Sequence, residues 1–135
     1  MSQREEMVAF YRRYLRCCND RRFDELGEFL HEDVTVNDTR QSPDQYVAGL
    51  RAVVDAFPDY HWELRQLLVD GDWLSAHLTG AGTHTGTFLG VPATGREVRI
   101  RELAMYRVDS GRIVASWGDL GSAVRDQLVS GPLES

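Results

Sequence analysis

Between Glu97 and Val108 the chain alternates in character. Val98, Ile100, Ala104, Tyr106 and Val108 take every second position, Arg99, Arg101 and Arg107 lie between them, and Glu102 falls within the apolar series. Successive side chains of a strand point to opposite faces, so this spacing puts a carboxylate on a face meant for burial. Such a group is either ion-paired by an arginine from another element, or it projects into a cavity where desolvation raises its pKa and lets it exchange protons with a bound molecule. Asp119 is a second acid/base candidate, because Ile113, Ala115, Trp117 and Asp119 alternate along the last strand-like segment; a helix cap before Ser122 accounts for it equally well. His84 opens the loop Thr83-His84-Thr85-Gly86 and is the third candidate, with a turn-fixing role as its alternative.

Candidates for contact with the bound molecule are Tyr14, Asn37, Tyr46, Trp62, His77 and Trp117, although the aromatic members suit a core or a subunit contact as well. His77 shares its face with Trp73, Ser75 and Thr79. The four histidines and the adjacent Cys17 and Cys18 lack metal-ligand spacing, and no phosphate-binding glycine loop or nucleophile elbow occurs. The expected chemistry is therefore proton transfer in a dry cavity with neither metal nor cofactor. The two cysteines are expected to be reduced and structural.

These groups need elements to hold them. Met7, Phe10, Tyr11, Tyr14, Leu15 and Cys18 recur at helical spacing and predict an amphipathic helix over 3–18. Phe23, Leu26 and Leu30 predict a shorter second helix, followed by an extended piece around Val34 and Val36 that ends at Asn37-Asp38. Ser42-Pro43-Asp44-Gln45 carries the signals of a helix start, and Val47, Leu50, Val53, Val54 and Phe57 carry that third helix to Pro58. Alternation then predicts strands near 60–69, 73–83, 97–108 and 112–119, with hairpin turns at Asp70-Gly71 and Asp109-Ser110-Gly111 and a loop over 84–96. A last helical turn is expected over 122–128. The fold class read from this order is α+β: three N-terminal helices packed on a strongly curved antiparallel sheet that forms a cone-shaped pocket.

With 135 residues, 42% of them hydrophobic and 27% charged, the chain reads as one domain over 1–135. Its net charge of −6 and scattered basic residues offer a phosphate backbone no landing site, so nucleic acid is not an expected partner. The charged N-terminus and the lack of a long apolar run point away from the membrane and towards the cytoplasm.

The stretch GTHTGTFLGVPATGR at 82–96, Tyr106-Arg107-Val108, the run from Gly111 to Trp117, and Phe57-Pro58-Asp59 together resemble the SnoaL-like polyketide cyclase family, of the nuclear transport factor 2-like superfamily. That resemblance implies a cone-shaped fold, a homodimer or higher homo-oligomer, and a hydrophobic small-molecule substrate. It also implies ring closure by an intramolecular aldol condensation without cofactor, driven by an Asp of the last strand. Counting from Gly111-Arg112-Ile113, that Asp falls on Gly118 here, and Asp119 lies one residue later. The expected function is a cyclase or isomerase of secondary, polyketide-type metabolism in which Glu102 or Asp119 moves the proton. A non-catalytic ligand-binding or accessory protein is the alternative.

Overall fold

The computed structural model describes residues 2–130. Helix α1 spans Gln3–Asn19 and is started by Ser2, whose hydroxyl accepts from the Glu5 amide at 3.1 Å, with Glu5 and Glu6 complementing the positive end of the helix dipole. Its apolar stripe is buried as the spacing predicts. The expected second helix shrinks to one 3₁₀ turn, Leu26–Phe29. Only Leu26 of that turn is buried, no side chain caps it, and Leu30 is already extended, so there is too little burial to propagate a helix.

Strand β1 covers Leu30–Val36 and folds back into β2, Thr39–Gln41, through Asn37 and Asp38, both at positive φ as a tight two-residue hairpin requires. Helix α2, Pro43–Ala56, begins with the reciprocal capping box of Ser42 and Gln45 and ends where Phe57 meets Pro58. Strands β3 (His61–Asp70), β4 (Trp73–Thr83), β5 (Glu97–Asp109) and β6 (Arg112–Trp117) follow, with Gly71, Ser110 and Gly111 at positive φ in their turns. Helix α3 closes the described chain at Leu120–Ser130.

The sheet has six strands in the order β2-β1-β6-β5-β4-β3 and is not closed. It is mixed, and this corrects the purely antiparallel reading: β1 runs parallel to β6, while the other neighbours are antiparallel. Alternation within a segment reports its faces but not its distant partner, so a four-stranded meander was the most that local pattern could give. Helix placement is corrected too. Two α-helices precede the long strands, and the third is C-terminal, running to Ser130 where a single turn was expected. Val124 and Leu128 bury one side of α3, the Gln127 amide exchanges hydrogen bonds with the Arg99 backbone, and Arg96 donates to the carbonyls of Gln127 and Leu128.

One sheet face carries Leu74, Ala76 and Leu78 of β4 against Tyr106, Ala104 and Glu102 of β5 and belongs to the core; the other carries Trp73, Ser75, His77 and Thr79. No described helix is long and apolar enough to cross a membrane. Cys17 and Cys18 are both buried and unbridged, as expected of structural thiols.

Candidate active site

A cavity of about 320 Å³ lies between α1, α2 and the core face of the sheet. Leu15, Val53, Trp62 and Leu78 give it apolar walls, and Glu102 projects into it from β5. The Glu102 atom Oε1 is out of solvent contact and has no hydrogen-bond partner, and among the described residues no basic side chain pairs with the carboxylate. Burial, followed by the negative charge of Asp119, pushes its pKa up to about 7. Of the two readings open from the sequence, the geometry matches the cavity-facing acid and not the ion pair.

Four tyrosines surround the rest of the polar space. Tyr14 and Tyr46 bring their hydroxyls to 2.6 Å and Tyr11 and Tyr106 to 3.2 Å, and Ser116, which pairs with Tyr106 across the sheet, lines the same cavity. Burial lifts all four phenol pKa values far above their ordinary range, so they stay protonated. In each pair one hydroxyl donates to the other, and the acceptor keeps its own proton unspent. The cavity thus combines one buried, unpartnered carboxyl with neutral hydroxyl groups. Its lining contains no lysine, arginine or histidine.

The last strand supplies its part through an irregularity. Val108 pairs with Ile113, but Arg107 pairs with Ala115, leaving Val114 extra. An inserted residue reverses the faces of everything after it. Ser116 therefore joins Tyr106 on the cavity face, and Trp117 pairs with Met105 on the other. The simple alternation of Ile113, Ala115, Trp117 and Asp119 is broken at this bulge. Asp119 ends exposed in front of α3, its carbonyl accepting the Ala123 amide, and lines an outer groove instead of the cavity. It acts on Glu102 through charge alone. Gly118 faces the cavity: a β-carbon there would stand 3.7 Å from Oε2 of Glu102.

The other candidates divide. Tyr14, Tyr46 and Trp62 line the cavity. Asn37 borders it, but both ends of its amide hold the Gly118 backbone, donating to the carbonyl at 2.8 Å and accepting from the amide at 2.9 Å. Trp117 also borders it, yet its ring stacks on Trp73 at 5.7 Å and its indole N–H goes to Asp38. His84 does not reach the cavity. It is fully buried, stacked on Phe57 at 5.1 Å, and its Nδ1 accepts from the Thr94 amide at 3.1 Å, so it ties the 84–96 loop together. His77 lies on the outer sheet face beside Gln66, away from the cavity. Tyr11, Tyr106 and Ser116 were missed as site residues, although Tyr106 shares the Glu102 face and Tyr11 sits in the buried stripe of α1.

The model of the SnoaL-like polyketide cyclases matches residues 8–123. The chain belongs to this family. Aklanonic acid methyl ester cyclase DnrD from Streptomyces peucetius is 28% identical to this SnoaL-like chain over 113 residues, 78% of each protein. A SnoaL-like polyketide cyclase from Agrobacterium tumefaciens, known as a crystal structure, is 30% identical, with 88% of this chain and 94% of that one covered at a TM-score of 0.76. TsrD from Streptomyces laurentii overlays at a TM-score of 0.82 over 95% of this chain and 98% of its own, and at 23% identity that likeness speaks to the fold alone.

Proposed function

We propose that this SnoaL-like protein closes a ring in, or isomerises, an uncharged polyketide-type carbonyl compound by proton transfer at Glu102, without a cofactor. The observation that carries this reading is the unpartnered Glu102 carboxyl in an apolar cavity, with its pKa raised to about 7. A carboxyl poised near neutrality serves as both base and acid. As carboxylate it removes the proton α to a carbonyl, and the enolate carbon attacks a second carbonyl carbon of the same molecule. The resulting alkoxide takes the proton back from Glu102 as a hydroxyl forms. Nothing is consumed. In an isomerisation the same proton returns to a different carbon.

Negative charge passing through the enolate and alkoxide oxygens meets the unspent protons of the tyrosine pairs, which need no reorganisation to donate. With no cation in the lining and an acid already present, a free carboxylate substrate is disfavoured and an ester suits better. The name of the DnrD relative, a methyl ester cyclase, agrees with that chemistry. Holding both ends of such a substrate in the cavity adds the advantage of proximity, in ideal cases about 7–11 kcal/mol. Trp62 and the tyrosines then supply the flat apolar contacts.

The reading extends to assembly. Leu68, Trp73, Leu103 and Met105 stand exposed on the outer sheet face, and a second copy covering this patch would make the homodimer expected of the resemblance. A cytoplasmic enzyme of secondary metabolism fits the whole.

The test uses aklanonic acid methyl ester as the probe substrate, with the wild type and Glu102→Gln. Turnover lowered about 10²–10⁴-fold with binding retained supports the proposal. Equal turnover in both proteins removes Glu102 from the mechanism. The accessory-protein reading is favoured by Gly118, which leaves no acid side chain on the cavity face beyond β6; tight binding of the ester with no turnover by the wild type would establish it.

A further inference from the structure

The loop over 84–96 contains a residue that its own turn disfavours. Phe88 and Val91 exchange both backbone hydrogen bonds at 2.9 Å, leaving Leu89 and Gly90 as the two central residues, with φ of 45° and 81°. This is the turn that asks for positive φ at both positions and is met most often with Asn, Asp or Gly. Leucine there carries a steric cost in the backbone. Its side chain recovers little of that cost within the protein, being 56% exposed, whereas the neighbouring Phe88 is buried and packs edge-on against Phe57 at 5.5 Å. Folding needs Phe88 and gains almost nothing from Leu89.

Leu89 nevertheless lines the cavity of Glu102. A side chain that both borders the cavity and is exposed must stand where the cavity meets solvent. It lies over the start of α3, where a β-carbon at Gly121 would be 3.6 Å from its Cδ1, and its carbonyl accepts from Arg125 at 3.4 Å. Leu120 lines the cavity from the same side. Together these residues make an apolar lip.

We propose that Leu89 is a specificity-determining residue of this site: it covers the hydrophobic part of an uncharged ligand that projects beyond the cavity, and is buried only when that ligand is bound. The proposal rests on the reading of the cavity as a ligand site, but not on Glu102 performing chemistry. It selects for extended, apolar molecules over short ones that stop at the tyrosine pairs.

The experiment titrates N-phenyl-1-naphthylamine, an uncharged amine that fluoresces in apolar surroundings, into the wild type, Leu89→Asn and Leu103→Asn, with melting temperature and oligomeric state measured on each. Leu103 is 71% exposed on the outer sheet face and controls for dye held there. The expected result is a Kd raised about five- to tenfold in Leu89→Asn, an equal or higher melting temperature because asparagine suits the turn, and an unchanged Kd in Leu103→Asn. An unchanged Kd in Leu89→Asn overturns the proposal and leaves the cavity reading standing. A lowered melting temperature or an altered oligomer in that variant overturns it in favour of a structural or subunit role. If the wild type takes up no dye into the cavity, the ligand-site reading fails and Leu89 falls with it.

Discussion

Glu102 of β5 lies across from Gly118, the first residue beyond β6, with Oε2 of the carboxylate 3.7 Å from the position a β-carbon on that glycine would take. The cavity thus has its acid on the strand next to the last one, and the space facing it is empty of side chain. Alanine at 118 meets ordinary van der Waals distances, whereas aspartate would set a second carboxylate against the first. We expect Gly118→Ala to keep the activity profile. Gly118→Asp should move its ascending limb up by about one pH unit or more, since like charges oppose ionisation. Initial rates against pH for both variants check this.

The ionisation of Glu102 sets the direction of the wild-type profile. The base form predominates only above its pKa, which is raised to about 7, so kcat/KM should climb as pH rises through 7 and level off beyond it. A profile already flat from pH 5 upward would contradict the assignment.

Stability follows the opposite course. The carboxyl titrates near 7 when folded, against an ordinary value of 4.5, so both states hold the proton below pH 4.5 and the full contribution is present. Between 4.5 and 7 the unfolded chain releases its proton first, and stability is lost with rising pH. Urea titrations should show Glu102→Gln matching the wild type at pH 4.5 and exceeding it by about 2–3 kcal/mol at pH 8.

His84 is expected to act on the fold alone. Replacing it with alanine removes the ring stacked on Phe57 and the acceptor for Thr94, at a cost of about 2–4 kcal/mol. The pH at which activity is half-maximal should not move. A shifted midpoint in the folded variant would return His84 to the chemistry.

The outer sheet face gives a further test. Leu103→Glu puts a charge in the middle of the apolar patch; the proposed pairing of two copies predicts a wild type of twice the monomer mass by light scattering and a monomeric variant that keeps its circular dichroism spectrum. A variant as dimeric as the wild type would place the subunit contact elsewhere.

Much of this arrangement could be read from residue order. The alternation of β5 identified Glu102 as an anomaly, and Ser42 with Gln45 fixed the start of α2, because both signals are local. A bulge in the last strand could be considered from the sequence as a way to bring Asp119 into the pocket, but its place at Val114 and its opposite effect could not, since a valine between Ile113 and Ala115 looks like any other strand member until its partner strand is known. That one residue decided which of Gly118 and Asp119 faces the cavity. The tyrosine pairs were hidden for a similar reason: each joins residues from two different elements, and their approach depends on packing. The 3₁₀ turn at Leu26 and the longer α3 differ from expectation because burial, more than spacing, decides whether a short apolar repeat propagates.

The clamp between Asn37 and Gly118 also has a bearing on how the protein is made. Its two ends are 81 residues apart in the chain, and β1 finds its parallel neighbour only in β6. At about 5–20 residues per second of synthesis, the first hairpin waits roughly 4–16 s on the ribosome before the segment that completes its pairing exists. Until then the amide of Asn37 has only water to hold, and the wall behind Glu102 is missing. Closing this site therefore carries the loop entropy of a long-range contact.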